Sequence, residues 1–184
     1  RSFQHLDEWL KRHKIVGITG LDTRSLTNLI RDKGAPKGTI AFSKKAKFNI
    51  SKLINSTIKW SGLKNLDLAE KVTTTKNYIW GGLKTWKKQI GYKKNNKNSF
   101  HVVAIDYGIK KNILRYFSDF KCKVTVVSCK TSAEKIIALK PNGIFLSNGP
   151  GDPAATGKYA IQIIKDLIKK KIPLFGICLG HQIL

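Results

Sequence analysis

The stretch His101-Val-Val-Ala-Ile-Asp-Tyr107 is a short β-branched apolar run, and Ile113, Leu114 and Phe117 follow it at helical spacing within Lys111–Phe120. This order predicts a strand and then a helix. Further predicted strands are Cys122–Ser128, Gly143–Ser147 and Ile172–Ile177, and further helices begin at the capping box Thr131-Ser-Ala-Glu134 and at Tyr159. Four nearly continuous apolar strands that alternate with helices predict an α/β fold, a partial doubly wound parallel sheet covered on both faces.

The ends of these strands are the expected functional edge, because ligands of parallel sheets bind beyond the carboxyl ends of the strands. The third strand is followed by a predicted loop, Asn148–Gly157. The helix after it, Tyr159–Lys170, is expected to turn one apolar face inward. The residues assigned to that face are Ile161, Ile164, Leu167 and Ile168.

The first half of the chain is less regular. Phe3–His13 has a helical pattern, Asp22 and Gly34 are expected to begin and end a second helix, and Lys37–Phe42 is predicted as a strand. Residues 49–92 have no clear pattern. The polar run at 93–99 marks a change of composition, so we divide the chain into a smaller domain, 1–92, a linker, 93–99, and the parallel-sheet domain, 100–184.

The formal charge is +24, from 35 basic and 11 acidic residues. Only five of the basic residues are Arg, although Arg is favoured where phosphates and bases are recognised. We therefore attribute the charge to biased composition and expect no nucleic-acid partner; a basic nucleic-acid-binding domain remains an alternative. The sequence contains no apolar run of membrane-spanning length and no cluster with metal-ligand spacing, so we expect neither a membrane partner nor a bound metal.

Cys178 is the strongest candidate for a reactive group. It follows a predicted strand and lies between Gly176 and Gly180, the spacing of a nucleophile elbow with Cys in place of Ser. A thiolate there would be stabilised by the start of the next helix. His181 is a weak candidate for its base, because a side chain directed along the helix does not readily reach the elbow. The alternative is an unreactive Cys near a tight turn.

The stretch Leu146-Ser-Asn-Gly-Pro-Gly-Asp-Pro153 is the second candidate. Its glycines, Gly149 and Gly151, leave backbone N–H groups open to an oxyanion at the end of a strand. A dinucleotide-binding interpretation is weak because Pro150 and Pro153 remove donors, and a Walker loop fails on spacing. A tight turn without ligand is the remaining alternative.

These two motifs, in this order, resemble those of class I glutamine amidotransferases. The segments Asp22–Gly34 and Asp106–Arg115, together with Gly176-Ile-Cys-Leu-Gly-His-Gln182, narrow the resemblance to the small, glutamine-hydrolysing subunits of carbamoyl phosphate synthetases. The similarity covers nearly the whole chain. It implies a flavodoxin-like amidotransferase domain preceded by part of a β-rich α/β domain.

The resemblance also implies roles for individual residues. Cys178 would attack the side-chain amide of L-glutamine, Leu179 and Gly149 would hold the oxyanion with their N–H groups, and Gly151 and Gln182 would contact glutamine. No cofactor is expected in this subunit. ATP and Mg are expected in a large partner subunit, which would use the ammonia for carbamoyl phosphate in arginine and pyrimidine synthesis. Three Cys without CxxC spacing agree with a cytoplasmic protein.

The resemblance has one departure. The family's catalytic His and Glu lie downstream of the Cys, whereas this sequence ends at Leu184 and starts without Met. We therefore expect a chain truncated at both ends and inactive by itself. Another class I amidotransferase, or a noncatalytic flavodoxin-like binding module, remains the alternative function.

Overall fold

A computed structural model describes residues 4–184, which divide into two compact units between Gly62 and Leu63. The first unit contains three helices, Leu6–Arg12 (α1), Thr23–Lys33 (α2) and Ile50–Lys59 (α3). The start and end predicted for α2 are confirmed. Asp22 accepts a hydrogen bond from the Ser25 N–H at 2.9 Å, and Gly34 ends the helix at a φ of 79°.

Two expectations for the first unit have other outcomes. The strand predicted at Lys37–Phe42 is wrong, because no second strand within residues 4–62 lies beside it to complete a hydrogen-bonded ladder. Phe3, the first residue of the first predicted helix, lies outside the described residues, and α1 begins at Leu6.

The second unit consists of a sheet with helices on both faces. Its strands are Tyr78–Ile79 (β1), Phe100–Asp106 (β2), Cys122–Ser128 (β3), Gly143–Leu146 (β4) and Leu174–Gly176 (β5). Its helices are Ala69–Val72 (α4), Lys111–Asp119 (α5), Ala133–Ala138 (α6), Pro153–Lys169 (α7) and Leu179–Ile183 (α8). The strand order is β1-β3-β2-β4-β5, with β1 antiparallel and the other pairings parallel. The predicted α/β class and parallel sheet are confirmed.

Both faces of the central strands are buried. Val103 and Ile105 of β2 face one apolar cluster, together with residues of α6, α7 and α8. Ala104 faces the opposite cluster with Leu114 of α5 and Phe145 of β4. Alternate residues of one strand therefore contribute to two cores, which is why the strand sequences are apolar throughout.

The helix after β4 begins earlier than predicted. Asp152 caps it by accepting a hydrogen bond from the Ala154 N–H at 2.9 Å, and Pro153 takes the first helical position. The predicted loop Asn148–Gly157 therefore ends at Asp152. The predicted inward face is half wrong: Ile164 and Leu167 are buried, but Ile161 and Ile168 are 44% and 50% exposed. The small Ala160 takes the inward position instead, four residues before Ile164.

Two other boundaries are corrected. The N-cap of α6 is Ser132, which places Glu134 one position too early for the capping box predicted at Thr131–Glu134. β5 is shorter than the predicted Ile172–Ile177. Pro173 has no N–H for the sheet ladder, although its carbonyl oxygen accepts a hydrogen bond from the Ile144 N–H at 2.8 Å.

Residues 63–92 precede the composition change at 93–99, but they belong to the second compact unit. Ala69 is fully buried in the apolar cluster that contains Val103 and Ile105. β1 adds an antiparallel strand to β3 that the sequence pattern did not predict. Contact of this stretch with the sheet explains why the compact units divide at Gly62 rather than near residue 93. The division of the chain into 1–92 and 100–184 stays a prediction about sequence domains. In residues 4–184, no helix has the length and apolar character needed to cross a membrane.

Candidate active site

Cys178 lies at a sharp turn between β5 and α8. Its backbone has a φ of 54° and a ψ of −116°, a combination that costs a residue with a side chain about 1–3 kcal/mol. The residue is exposed, whereas Cys122 and Cys129 are buried. The turn therefore holds one thiol out at the carboxyl edge of the sheet, as the nucleophile-elbow pattern predicts.

Gly180 allows this turn to lie directly on the neighbouring strand. A Cβ atom at Gly180 would overlap the carbonyl oxygen of Leu146 in β4, and one at Gly176 would lie 2.6 Å from the Gly180 carbonyl group. The Gly180 N–H donates a hydrogen bond to the Ser147 carbonyl oxygen at 3.0 Å. The spacing of small residues around Cys178 is therefore required by contact between backbones.

The segment Asn148–Asp152 follows β4, and we call it the glycine loop. A Cβ atom at Gly149 would overlap the Tyr107 carbonyl oxygen, so the loop is pressed against the turn that follows β2. Asn148 fixes the loop to the same turn, since its Oδ1 accepts from the Lys110 N–H at 3.1 Å and its Nδ2 donates to the Gly108 carbonyl oxygen at 3.0 Å.

The elbow and the glycine loop adjoin, because β4 and β5 are parallel neighbours and Gly180 bonds to Ser147, the residue before the loop. Within residues 4–184, neither the N–H of Gly149 nor that of Leu179 donates a hydrogen bond to another group. Both N–H groups are therefore unpaired at the edge of the sheet that carries Cys178. Acyl transfer by a thiol requires unpaired donors of this kind next to the nucleophile.

Comparison with known proteins agrees with this geometry. The family model "Glutamine amidotransferase class-I" matches residues 103–184, and "Carbamoyl-phosphate synthase small chain, CPSase domain" matches residues 1–40. Over the whole chain, the sequence is 52% identical to the carbamoyl phosphate synthase small chains of Bradyrhizobium diazoefficiens, Rhizobium meliloti and Bartonella bacilliformis. Over its whole length the chain is therefore similar to part of the carbamoyl phosphate synthase small chains. It spans about half the length of these curated relatives, 46% of each.

The remaining predicted site residues lie on α8. Leu179 is buried, with 1% of its surface exposed, so its N–H rather than its side chain is the group available to a ligand. Gln182 and His181 are exposed. In residues 4–184 no imidazole is hydrogen-bonded to the Cys178 sulfur, so the structure does not pair His181 with the thiol.

Two acidic residues at this edge of the sheet were not predicted as site residues. Asp106 is 6% exposed at the end of β2, and Asp152 ends the glycine loop. The sequence contained a signal for Asp152 only, because Asp followed by Pro is typical of a helix start. Among residues 4–184, no group of three or more His, Cys, Asp or Glu side chains is arranged to hold a metal ion.

Tyr107 is an ionisable side chain that is fully buried next to Gly149 of the glycine loop. Burial, with a smaller contribution from Cys129, raises the pKa of its phenol far above the ordinary value. The phenol is therefore protonated at neutral pH and does not act as a base for the thiol.

Proposed function

We propose that this chain carries the nucleophile and oxyanion site that release ammonia from L-glutamine for carbamoyl phosphate synthesis. The observation that carries the proposal is the exposed Cys178 at a strained turn, beside a loop whose Gly149 N–H is unpaired. The names of the relatives give the reaction to which the ammonia would contribute.

In the proposed reaction, the Cys178 sulfur forms a bond to the side-chain amide carbon of glutamine. The carbonyl oxygen takes up negative charge between the N–H groups of Gly149 and Leu179, and Gly151 and Gln182 contact the substrate. The carbon–nitrogen bond then breaks, the nitrogen takes the proton that the Cys178 thiol gave up and leaves as ammonia, and a γ-glutamyl thioester remains. Water cleaves the thioester to give glutamate and the free thiol, so one water is consumed for each glutamine.

The finer parts of the proposal rest on the family. We infer a heterodimer with a large subunit that binds ATP and Mg, a ligase reaction in the arginine and pyrimidine pathways, and a cytoplasmic location. This chain would bind no cofactor of its own, and nucleic acid and membranes would not be its partners.

A chloroketone analogue of glutamine tests the proposal directly. The analogue is expected to alkylate Cys178, excess L-glutamine is expected to protect it, and Cys178→Ser is expected to remove the label. Cys122 and Cys129 are internal controls because both are buried. Peptide mapping by mass spectrometry measures all three thiols, and labelling of Cys178 that glutamine does not reduce would contradict the proposal.

Turnover is a separate question for the 184-residue polypeptide. Because no imidazole in residues 4–184 is bonded to the thiol, we predict no glutaminase activity above background. Ammonia release is measured with an enzyme-coupled assay. Activity that disappears in Cys178→Ser would refute this prediction and make His181 the candidate base, which a His181→Asn variant would then test.

A further inference from the structure

Residues 63–77, which we call the edge segment, lie across the glycine loop at the carboxyl edge of the sheet. A Cβ atom at Gly151 would lie 2.8 Å from both the Leu66 carbonyl oxygen and the Leu68 nitrogen. The Asp152 N–H donates to the same Leu66 carbonyl oxygen at 3.0 Å. The far side of the loop is thus in backbone contact with a stretch more than 80 residues earlier in the chain.

Asp152 binds the edge segment and α7 with different oxygens. Its Oδ2 accepts from the Asn65 N–H at 2.6 Å, and its Oδ1 accepts from the Ala154 N–H at 2.9 Å. The Asn65 N–H, followed by that of Ala154, lowers the pKa of the Asp152 carboxyl below its ordinary value. The carboxylate is therefore ionised at neutral pH and accepts both bonds, which are stronger than bonds between neutral groups.

The Gly149 end of the loop, which faces the turn after β2, is held in a comparable way. Gly149 contacts the Tyr107 carbonyl oxygen, and Asp106 accepts from the N–H groups of Gly108 at 2.9 Å and of Thr74 at 2.8 Å. Thr74 belongs to the edge segment. The turn after β2 and the edge segment therefore contact the glycine loop from two sides. Asp106 links the edge segment to that turn, and Asp152 links the edge segment to the loop itself.

The loop needs such support. Gly151 has a φ of 103°, and the backbone dihedral angles of a glycine are not restrained by a side chain. In residues 4–184, the Gly149 N–H donates no hydrogen bond that would hold its peptide group in place. Donors to an oxyanion act only when they are held in place before the reaction.

We propose that Asp152 is a positioning residue for the glycine loop, holding the Gly149 N–H and Gly151 in the geometry that recognises glutamine by fastening the loop to the edge segment at Asn65. This inference rests on the proposed function, since Asp152 would support the same glutamine site. The role is distinct from capping α7, which needs one oxygen of Asp152 only.

Two variants separate positioning from capping. In Asp152→Asn, one of the two N–H groups loses its acceptor whichever way the amide turns. In Asp152→Ser, a single hydroxyl can still cap α7, because Ser and Asp are comparable N-caps. Asp22→Asn is the matched control, since Asp22 also caps a helix by accepting a backbone N–H, from Ser25 at 2.9 Å, but lies in the other compact unit.

Two rates are measured at Cys178: alkylation by the glutamine chloroketone in the presence of increasing L-glutamine, and alkylation by iodoacetamide, which needs no glutamine recognition. We expect both Asp152 variants to raise the half-protecting glutamine concentration about fivefold to tenfold, the effect of losing one ordinary, solvent-exposed hydrogen bond. The iodoacetamide rate should stay within about twofold of the unchanged chain. Asp22→Asn should alter neither.

The outcomes are distinguishable. Equal glutamine protection in the unchanged chain and both Asp152 variants overturns this inference and leaves the proposed function standing. Reaction of Cys122 and Cys129 with iodoacetamide in both variants also overturns it, because Asp152 would then support the fold as a whole. Absence of glutamine protection in the unchanged chain overturns the proposed function, and this inference with it.

Discussion

Gly180 has the least freedom to be replaced among the residues near Cys178. Its hydrogen atoms point at the Leu146 carbonyl oxygen, and its N–H donates to Ser147, so the elbow and β4 meet through Gly180 backbone atoms. The backbone of a central strand cannot move aside as a flexible side chain can. Any side chain at position 180 must therefore displace the turn that carries Cys178.

Gly180→Ala is predicted to destabilise the chain by about 2 kcal/mol or more, because the added methyl group overpacks against backbone. It should also remove the selective reaction of Cys178 with the glutamine chloroketone. Gly81→Ala is the control, since a Cβ atom at Gly81 meets nothing within 4 Å. Denaturant unfolding measures both variants, and equal stabilities would contradict the assigned contact between Gly180 and Leu146.

At the scale of elements, α7 contains a glycine that the fold does not require. A Cβ atom at Gly157 would lie 3.1 Å from the Cδ1 atom of Ile161, the free end of a side chain that is 44% exposed. That end can shift, whereas glycine inside a helix costs about 0.5–1 kcal/mol relative to alanine.

Gly157→Ala is therefore predicted to raise the free energy of unfolding by about 0.5 kcal/mol. Glutamine protection of Cys178 should be unchanged, because the substitution lies outside the glycine loop. Denaturant unfolding and the competition assay measure the two quantities. A loss of stability would mean that Ile161 cannot move, and that α7 is packed more tightly than its exposure indicates.

The link between the edge segment and the glycine loop is predicted to depend on pH. The Asn65 and Ala154 N–H groups lower the pKa of Asp152, so the stabilisation is present above the pKa of the unfolded chain and is lost as pH falls through the folded value. The stability difference between the unchanged chain and Asp152→Asn should be constant down to about pH 5 and shrink below about pH 4. A difference that grows on acidification would contradict the assignment of the Asn65 and Ala154 hydrogen bonds to the ionised form.

At the scale of the whole molecule, the two compact units differ in burial. No side chain in residues 4–62 is buried, whereas Val103, Val126 and Leu146 in the sheet have none of their surface exposed. Local opening is governed by such differences in buried apolar contact. The two units are therefore expected to differ in stability.

Hydrogen exchange followed by mass spectrometry tests this difference. Amides of β2, β3 and β4 should exchange slowest in the chain, and those of α1, α2 and α3 should exchange much faster, close to unprotected peptides. Peptides from residues 63–77 should show intermediate protection, because the edge segment contributes the buried Ala69 but is otherwise largely at the surface. Equal protection of α2 and β2 would contradict the contrast in burial.

Patterns in the amino-acid sequence were enough to predict the alternation of strands and helices in residues 100–184, the elbow at Cys178 and the caps of α2. Each depends on periodicity or on residues only a few positions apart, and backbone sterics act at that range. The similarity to known small chains extends over the whole sequence. The functions of Cys178, Gly149, Gly151, Leu179 and Gln182 stay predictions, since they concern a bound substrate.

Contacts between groups that are distant in the sequence could be identified only from the folded chain. The bond from the Asn65 N–H to Asp152 spans 87 positions, and that from Thr74 to Asp106 spans 32. A backbone N–H has no residue-specific signature, so a sequence pattern does not indicate where it is satisfied. The packing of residues 63–79 onto the sheet, and the contact of that stretch with the glycine loop, join groups that are far apart in the sequence and adjacent only in the folded chain.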